Sequence, residues 1–288
     1  MRIVIHNVDH GQCAVITPPS GERIMIDCGI LADGNSYWWP SVHYMQERFG
    51  LLALTNLDED HAEDFRSVMQ YSPPRLILSN PTIGYAELIK LKKDGMRDGV
   101  DAVAQWMARP KGTPIPLPEP DFGPIAVRWY YNRYLPGFIE DTNNLSLVII
   151  VQYGQFKILF SGDMEQPGWR NLLRLPAFRT DLLGVNAFVT SHHGRESGCL
   201  TDLFDIWQPE IFIVSDERLR YGSQETTAWY RNRARGVPVR GSVERRYVYT
   251  TRSDGSLQID VVPFGGWLIQ PIYVHSWPAS PSPVSLFR

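Results

Sequence analysis

Short apolar runs of strand length recur along the whole chain, and some of the segments between them have helical spacing. The clearest strand-like runs are residues 2–8, 13–17, 23–27, 51–55, 125–131, 145–151, 157–161, 187–191 and 210–215. Helical spacing is clearest near residues 62–69, 85–107, 166–174, 199–207 and 224–235. Strands interspersed with helices are typical of an α/β protein. Hairpin-type turns near both ends, with crossovers between them, predict a mixed sheet or two sheets with helices outside.

Composition narrows the class of protein further. The chain has 288 residues, enough to bury a two-layer core without a disulfide framework. Its three cysteines are too few for a disulfide-rich scaffold or a four-cysteine zinc ribbon, and we expect them to be reduced. The net charge of −3 excludes a globally basic nucleic-acid-binding protein, although it leaves room for a local basic patch.

The sequence predicts one domain without a membrane span. The apolar N-terminal stretch is broken by His6, Asn7 and Asp9, and no window holds about 18 uninterrupted apolar residues. We therefore expect a cytoplasmic protein with no membrane partner. A single domain is predicted over residues 1–275, followed by a flexible tail rich in proline and serine over residues 276–288.

Polar side chains of the kinds that bind metals come directly after three of the predicted strands. They are Asp60 and His61 after 51–55, Asp163 after 157–161, and His192 and His193 after 187–191. Loops at the ends of strands converge in α/β sheets, so these residues can meet around one cation. Carboxylate oxygens and imidazole nitrogens are the usual ligands of divalent metals.

Each of these residues also has a purely structural interpretation. Asp60 can serve the N-terminus of a helix, where a carboxylate accepts backbone N–H groups and interacts favourably with the helix dipole. Asp163 can be a turn residue after a strand, and the two histidines can be a partly buried structural pair. The sequence does not show which of His192 and His193 points inward.

The order of these motifs resembles the metallo-β-lactamase fold and, within it, the soluble hydrolase-like domain of ComEC-type competence proteins. The segments that carry the resemblance are residues 9–12 (DHGQ), 26–29 (IDCG), 55–61 (TNLDEDH), 144–148 (NLSLV), 161–163 (SGD), 191–194 (SHHG), 221–222 (YG) and 253–255 (SDG). The resemblance implies an αββα four-layer sandwich of two mixed β-sheets, with the site in the loops at one edge. It also implies hydrolysis of esters, amides, thioesters or phosphodiesters by a water that one or two metal ions activate.

The chain departs from the family pattern at positions that matter for metal binding. Asn56 and Asp58 stand where the family has the first two histidines of its HxHxDH motif, and Ser223 stands where it has another histidine. Oxygen ligands in place of nitrogen favour Mn²⁺ or Mg²⁺ over Zn²⁺. The expected cofactor is therefore one or two such ions, or none if the site has lost its function.

The resemblance assigns a role to each candidate residue. The metal ligands that it implies are Asn56, Asp58, Asp60, His61, Asp163, His192 and His193, with Asn56 and Asp58 completing a second, oxygen-rich position. The expected catalytic residues are Asp60, His192 and His193, one histidine contacting the phosphate or protonating the leaving oxygen. The residues expected to support the site from behind the ligands are Asp9, His10, Gln12 and Asp27.

A stretch rich in arginine and tyrosine near the end of the chain points to a substrate class. Residues 231–252 hold seven arginines and a single glutamate. Arginine beside aromatic side chains suits a phosphate backbone or stacked bases, whereas the alternative interpretation is a solvated helix face and strand edge. The arginines expected to bind nucleic acid or phosphate are Arg231, Arg235, Arg245 and Arg246. We therefore expect DNA or a nucleotide as the substrate.

Two functions follow from these observations. The first is a metal-dependent hydrolase, a phosphodiesterase or nuclease, which the retained carboxylates and histidines favour. The second is a catalytically inactive metallo-β-lactamase-fold binding or interaction module, which Asn56, Asp58 and Ser223 favour. The resemblance implies a place in a bacterial multi-protein system, such as a defence or signalling system, with separately encoded protein partners.

Overall fold

The computed structural model describes residues 1–32, 36–110, 119–137, 139–217, 222–239, 243–264, 266–274 and 277–278, the last pair by backbone alone. Its strands are β1 (Arg2–Ile5), β2 (Ala14–Thr17), β3 (Arg23–Ile26), β4 (Leu31–Ala32), β5 (Ser36–Trp38), β6 (Phe49–Ala53), β7 (Leu76–Leu78), β8 (Ile125–Tyr131), β9 (Leu147–Tyr153), β10 (Phe156–Phe160), β11 (Ala187–Val189), β12 (Ile211–Val214), β13 (Val237–Pro238), β14 (Arg245–Arg246), β15 (Val248–Thr250), β16 (Ser256–Val261), β17 (Trp267–Ile272) and β18 (Trp277–Pro278).

The helices of the described residues are mostly short. They are α1 (Pro40–His43), α2 (Glu59–Ala62), α3 (Phe65–Tyr71), α4 (Tyr85–Leu91), α5 (Asp98–Ala108), α6 (Gln166–Leu172), α7 (Pro176–Leu182), α8 (Thr201–Ile206), α9 (Thr227–Arg231) and α10 (Thr251–Asp254). Single turns of 3-10 helix cover Ser191–Gly194, Glu196–Gly198 and Gly222–Gln224.

Two mixed sheets form the centre of the fold as described. The first has the strand order β17-β16-β1-β2-β3-β6-β7, antiparallel from β17 to β3 and parallel from β3 to β7. The second has the order β15-β12-β11-β10-β9-β8, parallel from β15 to β10 and antiparallel from β10 to β8. Each sheet therefore has a parallel part whose strands end at a common edge. The loops that carry the candidate site begin at these ends.

The space between the two sheets is filled by apolar side chains from alternate positions of the strands. In β9, Leu147, Ile149 and Val151 lie in this central core, whereas Val148 and Ile150 pack against the helices on the other face. All five side chains are fully buried. A strand buried on both faces forms an unbroken apolar run in the sequence, which is the pattern that residues 147–151 show.

Helices cover the outer face of each sheet. Phe65 of α3, Leu88 of α4 and Val103 of α5 pack on the first sheet. Trp169 of α6 and Phe178 of α7 pack on the second sheet. The order of layers is therefore helix, sheet, sheet, helix, and the predicted αββα sandwich of two mixed sheets is confirmed.

The helix predicted near residues 85–107 is wrong in its extent. The structure has two helices there, α4 and α5, separated by a turn at residues 92–97. Gly95 in this turn has a φ of 114°, which glycine adopts without the steric cost that a Cβ brings. The turn places Lys92, directly after α4, and Arg97, directly before α5, at the wall of one cleft.

Three further predictions concern the chain as a whole. The cysteines Cys13, Cys28 and Cys199 form no disulfide. None of the described helices is both long and apolar enough to cross a membrane. Of the predicted tail, residues 277–278 pair with β5 as strand β18, while residue 276 and residues 279–288 lie outside the described residues.

Candidate metal centre

Four side chains from three loops meet at the edge of the sandwich where the parallel strands end. They are Asp60, His61, Asp163 and His193, and one ligand atom from each lies within 4.8 Å of the others. The Nε2 atom of His61 is 3.1 Å from an oxygen of Asp163, and the Nε2 atom of His193 is 3.0 Å from an oxygen of Asp60. Two imidazole nitrogens and two carboxylate oxygens at such distances are a donor set for a divalent cation.

The backbone of Asp60 and His61 is held by two glycine-containing loops, residues 9–12 and 26–29. The N–H of Gln12 donates to the carbonyl oxygen of Asp60 at 3.2 Å, and the N–H of Cys28 donates to that of His61 at 2.8 Å. A Cβ on Gly29 would lie 2.5 Å from the Asp60 carbonyl oxygen, so only glycine permits this approach. Glycine in this motif therefore serves close backbone packing behind the candidate ligands.

Asp163 and His193 are placed by left-handed turns after β10 and β11. Gly162, which precedes Asp163, has a φ of 53°, and the N–H of Asp163 donates to the hydroxyl of Ser146 at 3.0 Å. His192 and His193 have φ values of 49° and 52°. This conformation costs a residue with a Cβ of the order of 1 kcal/mol. The two consecutive left-handed residues direct the rings apart, and only the His193 ring enters the cluster.

A buried carboxylate orients His61. The Nδ1 atom of His61 is 3.0 Å from an oxygen of Asp27, and both side chains are fully buried. Asp27 also accepts hydrogen bonds from the backbone N–H and the hydroxyl of Thr55. An ionised Asp27 can only accept, so Nδ1 of His61 is protonated and Nε2 is the nitrogen that faces Asp163. This pairing of carboxylate and imidazole is the one that fixes metal-binding histidines in proteins.

A backbone carbonyl orients His193 in the same way. Its Nδ1 atom is 2.8 Å from the carbonyl oxygen of Ser215, which can only accept, so Nδ1 is the protonated nitrogen. The Nε2 atom then faces the carboxylates, 3.0 Å from an oxygen of Asp60 and 3.5 Å from an oxygen of Asp163. A buried lone pair facing carboxylates is unfavourable unless a cation or a proton lies between them. These residues therefore fit a metal ion.

The electrostatics of the cluster agree with its geometry. Burial lowers the pKa of His61, but the carboxylates of Asp163, Asp27 and Asp60 outweigh burial and hold this pKa well above its usual value. Asp163 and Asp60 raise the pKa of His193 in the same way. Burial raises the pKa of Asp60, but the charges on His61 and His193 bring it down to about 2. A metal ion and protons therefore compete for the same imidazole nitrogens.

Asn56 and Asp58 have other partners. The side chain of Asn56 accepts the N–H of Leu57 at 2.6 Å and donates to the side-chain oxygen of Asn143 at 3.2 Å. The carboxylate of Asp58 contacts the ammonium of Lys92 and accepts from the hydroxyl of Thr142 at 3.0 and 3.1 Å. The expected oxygen-rich position is therefore surrounded by donors of the protein itself. The preference for Mn²⁺ or Mg²⁺ rested on these oxygens, and the cluster of two nitrogens and two oxygens does not by itself favour either ion over Zn²⁺.

His192 lies beside the cluster with its ring directed elsewhere. Its Nδ1 atom is 3.1 Å from an oxygen of Glu165 and 3.0 Å from the hydroxyl of Ser197, and its Nε2 atom is 3.4 Å from a guanidinium nitrogen of Arg195. A guanidinium only donates, so Nε2 accepts and Nδ1 carries the proton. Burial lowers the pKa of His192, which favours the neutral ring. Of the two histidines, the structure therefore directs His193 to the cluster.

The loop after β1 brings His10, rather than Asp9, to the cluster. The Nε2 atom of His10 is 3.4 Å from an oxygen of Asp60, and its ring centroid is 4.5 Å from that of His193. Burial and the neighbouring His193 lower the pKa of His10 to about 4, so its ring is neutral at pH 7. Gln12 is buried and contacts Asp60 through its backbone, whereas Asp9 lines a different cleft.

A cleft of about 400 Å³ lies beside the cluster. Its lining residues include His10, Asp58, Asp60, Lys92 and Arg97. The sequence analysis missed Lys92 and Arg97, because no motif marks them and the turn that places them was predicted as continuous helix. The isolated Gly95 was the one available signal, since a glycine inside a helical pattern lowers the expectation of an unbroken helix.

The four arginines expected to bind phosphate have partners within the protein. Arg231 lies over the ring of Tyr247, and Arg235 lies over the ring of Trp207. Arg245 donates to the backbone carbonyl of Gly236. Arg246 donates to both carboxylate oxygens of Asp254. Such contacts are typical of a helix face and strand edge, and nucleic-acid binding by these residues stays a prediction.

Comparison with known proteins adds distant structural likenesses. No family model and no curated protein matches the chain. The Zn²⁺-bound PqqB from Methylobacterium extorquens matches with a TM-score of 0.42 and 13% identity, over 75% of this chain and 89% of that chain. A metallo-β-lactamase with a HARLDQ motif from Cronobacter sakazakii matches with a TM-score of 0.32 and 14% identity, over 70% of this chain and 66% of that chain. Likeness at this level assigns no function, and the resemblance to ComEC-type domains stays a prediction.

Proposed function

We propose that the protein is a metal-dependent hydrolase whose centre consists of Asp60, His61, Asp163 and His193. The observation that carries the proposal is the pair of buried Nε2 atoms that lie 3.1 and 3.0 Å from the carboxylates of Asp163 and Asp60 beside a cleft. A divalent ion bound there lowers the pKa of a water molecule to about 7, so that hydroxide is available at neutral pH.

The other residues of the centre keep the ligands in the form that binds metal. Asp27 and the carbonyl of Ser215 accept from Nδ1 of the two imidazoles, so that both Nε2 atoms are directed at the carboxylates and bind an ion once it displaces their protons. His10 stays neutral beside Asp60 and therefore adds no positive charge that would repel a cation. The chain thus supplies both the ligands and the groups that orient them.

We propose a phosphodiester as the substrate, and Arg195 supports this choice. Its guanidinium lies beside His192, and its charge acts on His10 in the cleft. A guanidinium suits an anionic phosphate oxygen. In this proposal His192, held by Glu165, positions Arg195.

The test is hydrolysis by the metal-loaded protein. Mn²⁺, Mg²⁺ and Zn²⁺ are added in turn to the purified chain, with bis(p-nitrophenyl) phosphate and labelled single-stranded DNA as substrates. Asp163→Asn removes a charge of the cluster with little change in volume. Asp181→Asn makes the same change in α7, where the carboxylate accepts from the hydroxyl of Tyr130.

We expect wild type and Asp181→Asn to bind metal and to hydrolyse the diester, and Asp163→Asn to lose both properties while its near-UV circular dichroism stays native. Diester hydrolysis that survives in Asp163→Asn would overturn the proposal. So would a wild-type protein that binds no metal. Cleavage of the diester without cleavage of DNA would limit the substrate to small diesters or nucleotides.

An inactive binding module is the second candidate, because Asp58 is already paired with Lys92 and the side-chain oxygen of Asn56 already accepts the N–H of Leu57. Metal binding without hydrolysis of diesters, esters or thioesters would favour it. Nucleic-acid binding by Arg231 and the neighbouring arginines is tested separately, since affinity for DNA must fall steeply as salt rises if these residues contact phosphates.

A further inference from the structure

The carboxylate of Asp58 has its hydrogen-bonding capacity taken up by the protein. One oxygen contacts the ammonium of Lys92, and the hydroxyl of Thr142 lies 3.0 and 3.1 Å from the two oxygens. The amide nitrogen of Asn56 lies 3.3 Å from the second oxygen. All three neighbours are donors, so a cation from solution would have to displace an ammonium to reach this carboxylate.

The side chain of Asn56 is equally engaged. Its oxygen accepts the N–H of Leu57 at 2.6 Å, and its nitrogen lies 3.2 Å from the side-chain oxygen of Asn143. Asn56 is buried, with 2% of its surface exposed. An amide oxygen that already accepts a short hydrogen bond from its own backbone neighbour is poorly placed to bind a metal ion as well.

Lys92 reaches Asp58 because of the turn between α4 and α5. It follows the last residue of α4, and 18% of its side chain is exposed, on the wall of the cleft that Asp58 and Asp60 also line. The pair is therefore partly shielded from water, where a charge contact is stronger than at an exposed surface. The chain thus delivers a positive charge next to the cluster.

We propose that the ammonium of Lys92 takes the place of a second metal ion at Asp58, so that the centre binds one ion per chain. The inference rests on the proposed metal-dependent function and narrows it from one or two ions to one. The charges then balance both in the four-residue cluster and at Asp58. Asp60 and Asp163 with two neutral imidazoles match one divalent cation, and Asp58 is matched by Lys92.

The experiment measures how many ions bind. Metal-free protein is titrated with Mn²⁺ and with Zn²⁺ by isothermal calorimetry, and bound metal is counted by mass spectrometry after desalting. Lys92→Met removes the ammonium but keeps most of the apolar stem, whereas Lys93→Met makes the same change at the exposed neighbouring lysine. The double variant Lys92→Met/Asp58→Asn also removes the carboxylate that Lys92 would otherwise cover.

We expect one ion per chain in wild type and in Lys93→Met. In Lys92→Met we expect a second, weaker binding event, because the carboxylate of Asp58 then has neutral donors but no cation, and the double variant should lose that event again. Two ions in wild type, or no second event in Lys92→Met, would overturn the inference and leave the hydrolase proposal standing. No bound ion in any of these proteins would overturn the proposed function and the inference together.

Discussion

Two carboxylates that are two residues apart in the sequence, Asp58 and Asp60, have opposite surroundings at the same edge of the sandwich. Asp60 faces the Nε2 atoms of His193 at 3.0 Å and His61 at 4.0 Å. Asp58 faces the ammonium of Lys92 and a hydroxyl. The first carboxylate therefore needs a cation or protons from solution, and the second is already matched by the chain. The neighbours of a ligand, rather than its residue type, decide whether it is available to a metal.

The largest difference in metal affinity is expected between the variants Asp60→Asn and Asp58→Asn. The first removes a ligand, so metal affinity should fall by more than about 100-fold, beyond the range for losing a supporting hydrogen bond. The second leaves the cluster intact, and its metal affinity should stay within about tenfold of wild type, since only a neighbouring charge changes. Calorimetric titration of both variants with the same ion measures the contrast. Equal losses in the two variants would show that Asp58 is a ligand after all.

A smaller loss is expected from Asp27→Asn, which changes the group that orients His61. The asparagine cannot hold the proton of Nδ1 as a carboxylate does, so metal affinity should fall by about 10- to 100-fold. Thr55→Val is a useful control, because it removes a hydroxyl that donates to Asp27 but keeps the carboxylate. An Asp27→Asn protein with wild-type affinity would mean that His61 is oriented by packing alone.

The stability of the metal-free protein should depend on pH through the residues around Asp60. In the metal-free protein the raised pKa values of His61 and His193 contribute stability that is fully present below about pH 6.5 and is lost as pH rises through those values. The lowered pKa of Asp60 contributes stability that is present above about pH 3.8 and is lost as pH falls through about 2.

Metal affinity should rise with pH, whereas the stability that the two histidines contribute to the metal-free protein falls. For each imidazole proton that the ion displaces, affinity rises by up to about tenfold per unit increase in pH. Calorimetry in two buffers with different ionisation enthalpies counts the protons released on binding, and thermal unfolding of the metal-free protein follows its stability. Affinity that stays constant between roughly pH 6 and pH 8 would contradict the competition between metal and protons.

The smallest effect on metal affinity is expected from Asn56→Ala. This change leaves the buried N–H of Leu57 without its acceptor, so the protein should lose about 1 to 3 kcal/mol of unfolding free energy. Metal affinity should not change, because the side chain of Asn56 is already engaged with Leu57 and Asn143. Urea unfolding and calorimetric titration of the same preparation measure both quantities. A marked loss of affinity would place Asn56 in the centre.

Much of the fold was predictable because the relevant signals are local. The run 145–151 predicted a strand, and β9 contributes alternately to the central core and to the outer layer. Residues of the two N-terminal motifs were expected behind the ligands, and Gly29 of the second motif lies against the backbone of Asp60. Such features depend on side-chain spacing and on backbone sterics, which a short segment carries with it.

The break between α4 and α5 was not predictable in the same way. Apolar residues with helical spacing lie on both sides of Gly95, and Leu88 and Val103 both pack on the first sheet. Periodicity alone cannot tell one long helix from two short ones that cover the same face. The consequence for the site was large, because the turn carries Lys92 to Asp58.

The sequence by itself determined the sandwich, the loops in which candidate ligands lie, and the retention of Asp60, His61 and Asp163. Only the tertiary structure decided between His192 and His193, and only it paired Asp58 with Lys92, 34 residues away in the chain. The physical reason is that a ligand's availability depends on the donors and acceptors around it. Those partners come from distant segments, whose approach is set by packing of the whole fold rather than by the local pattern.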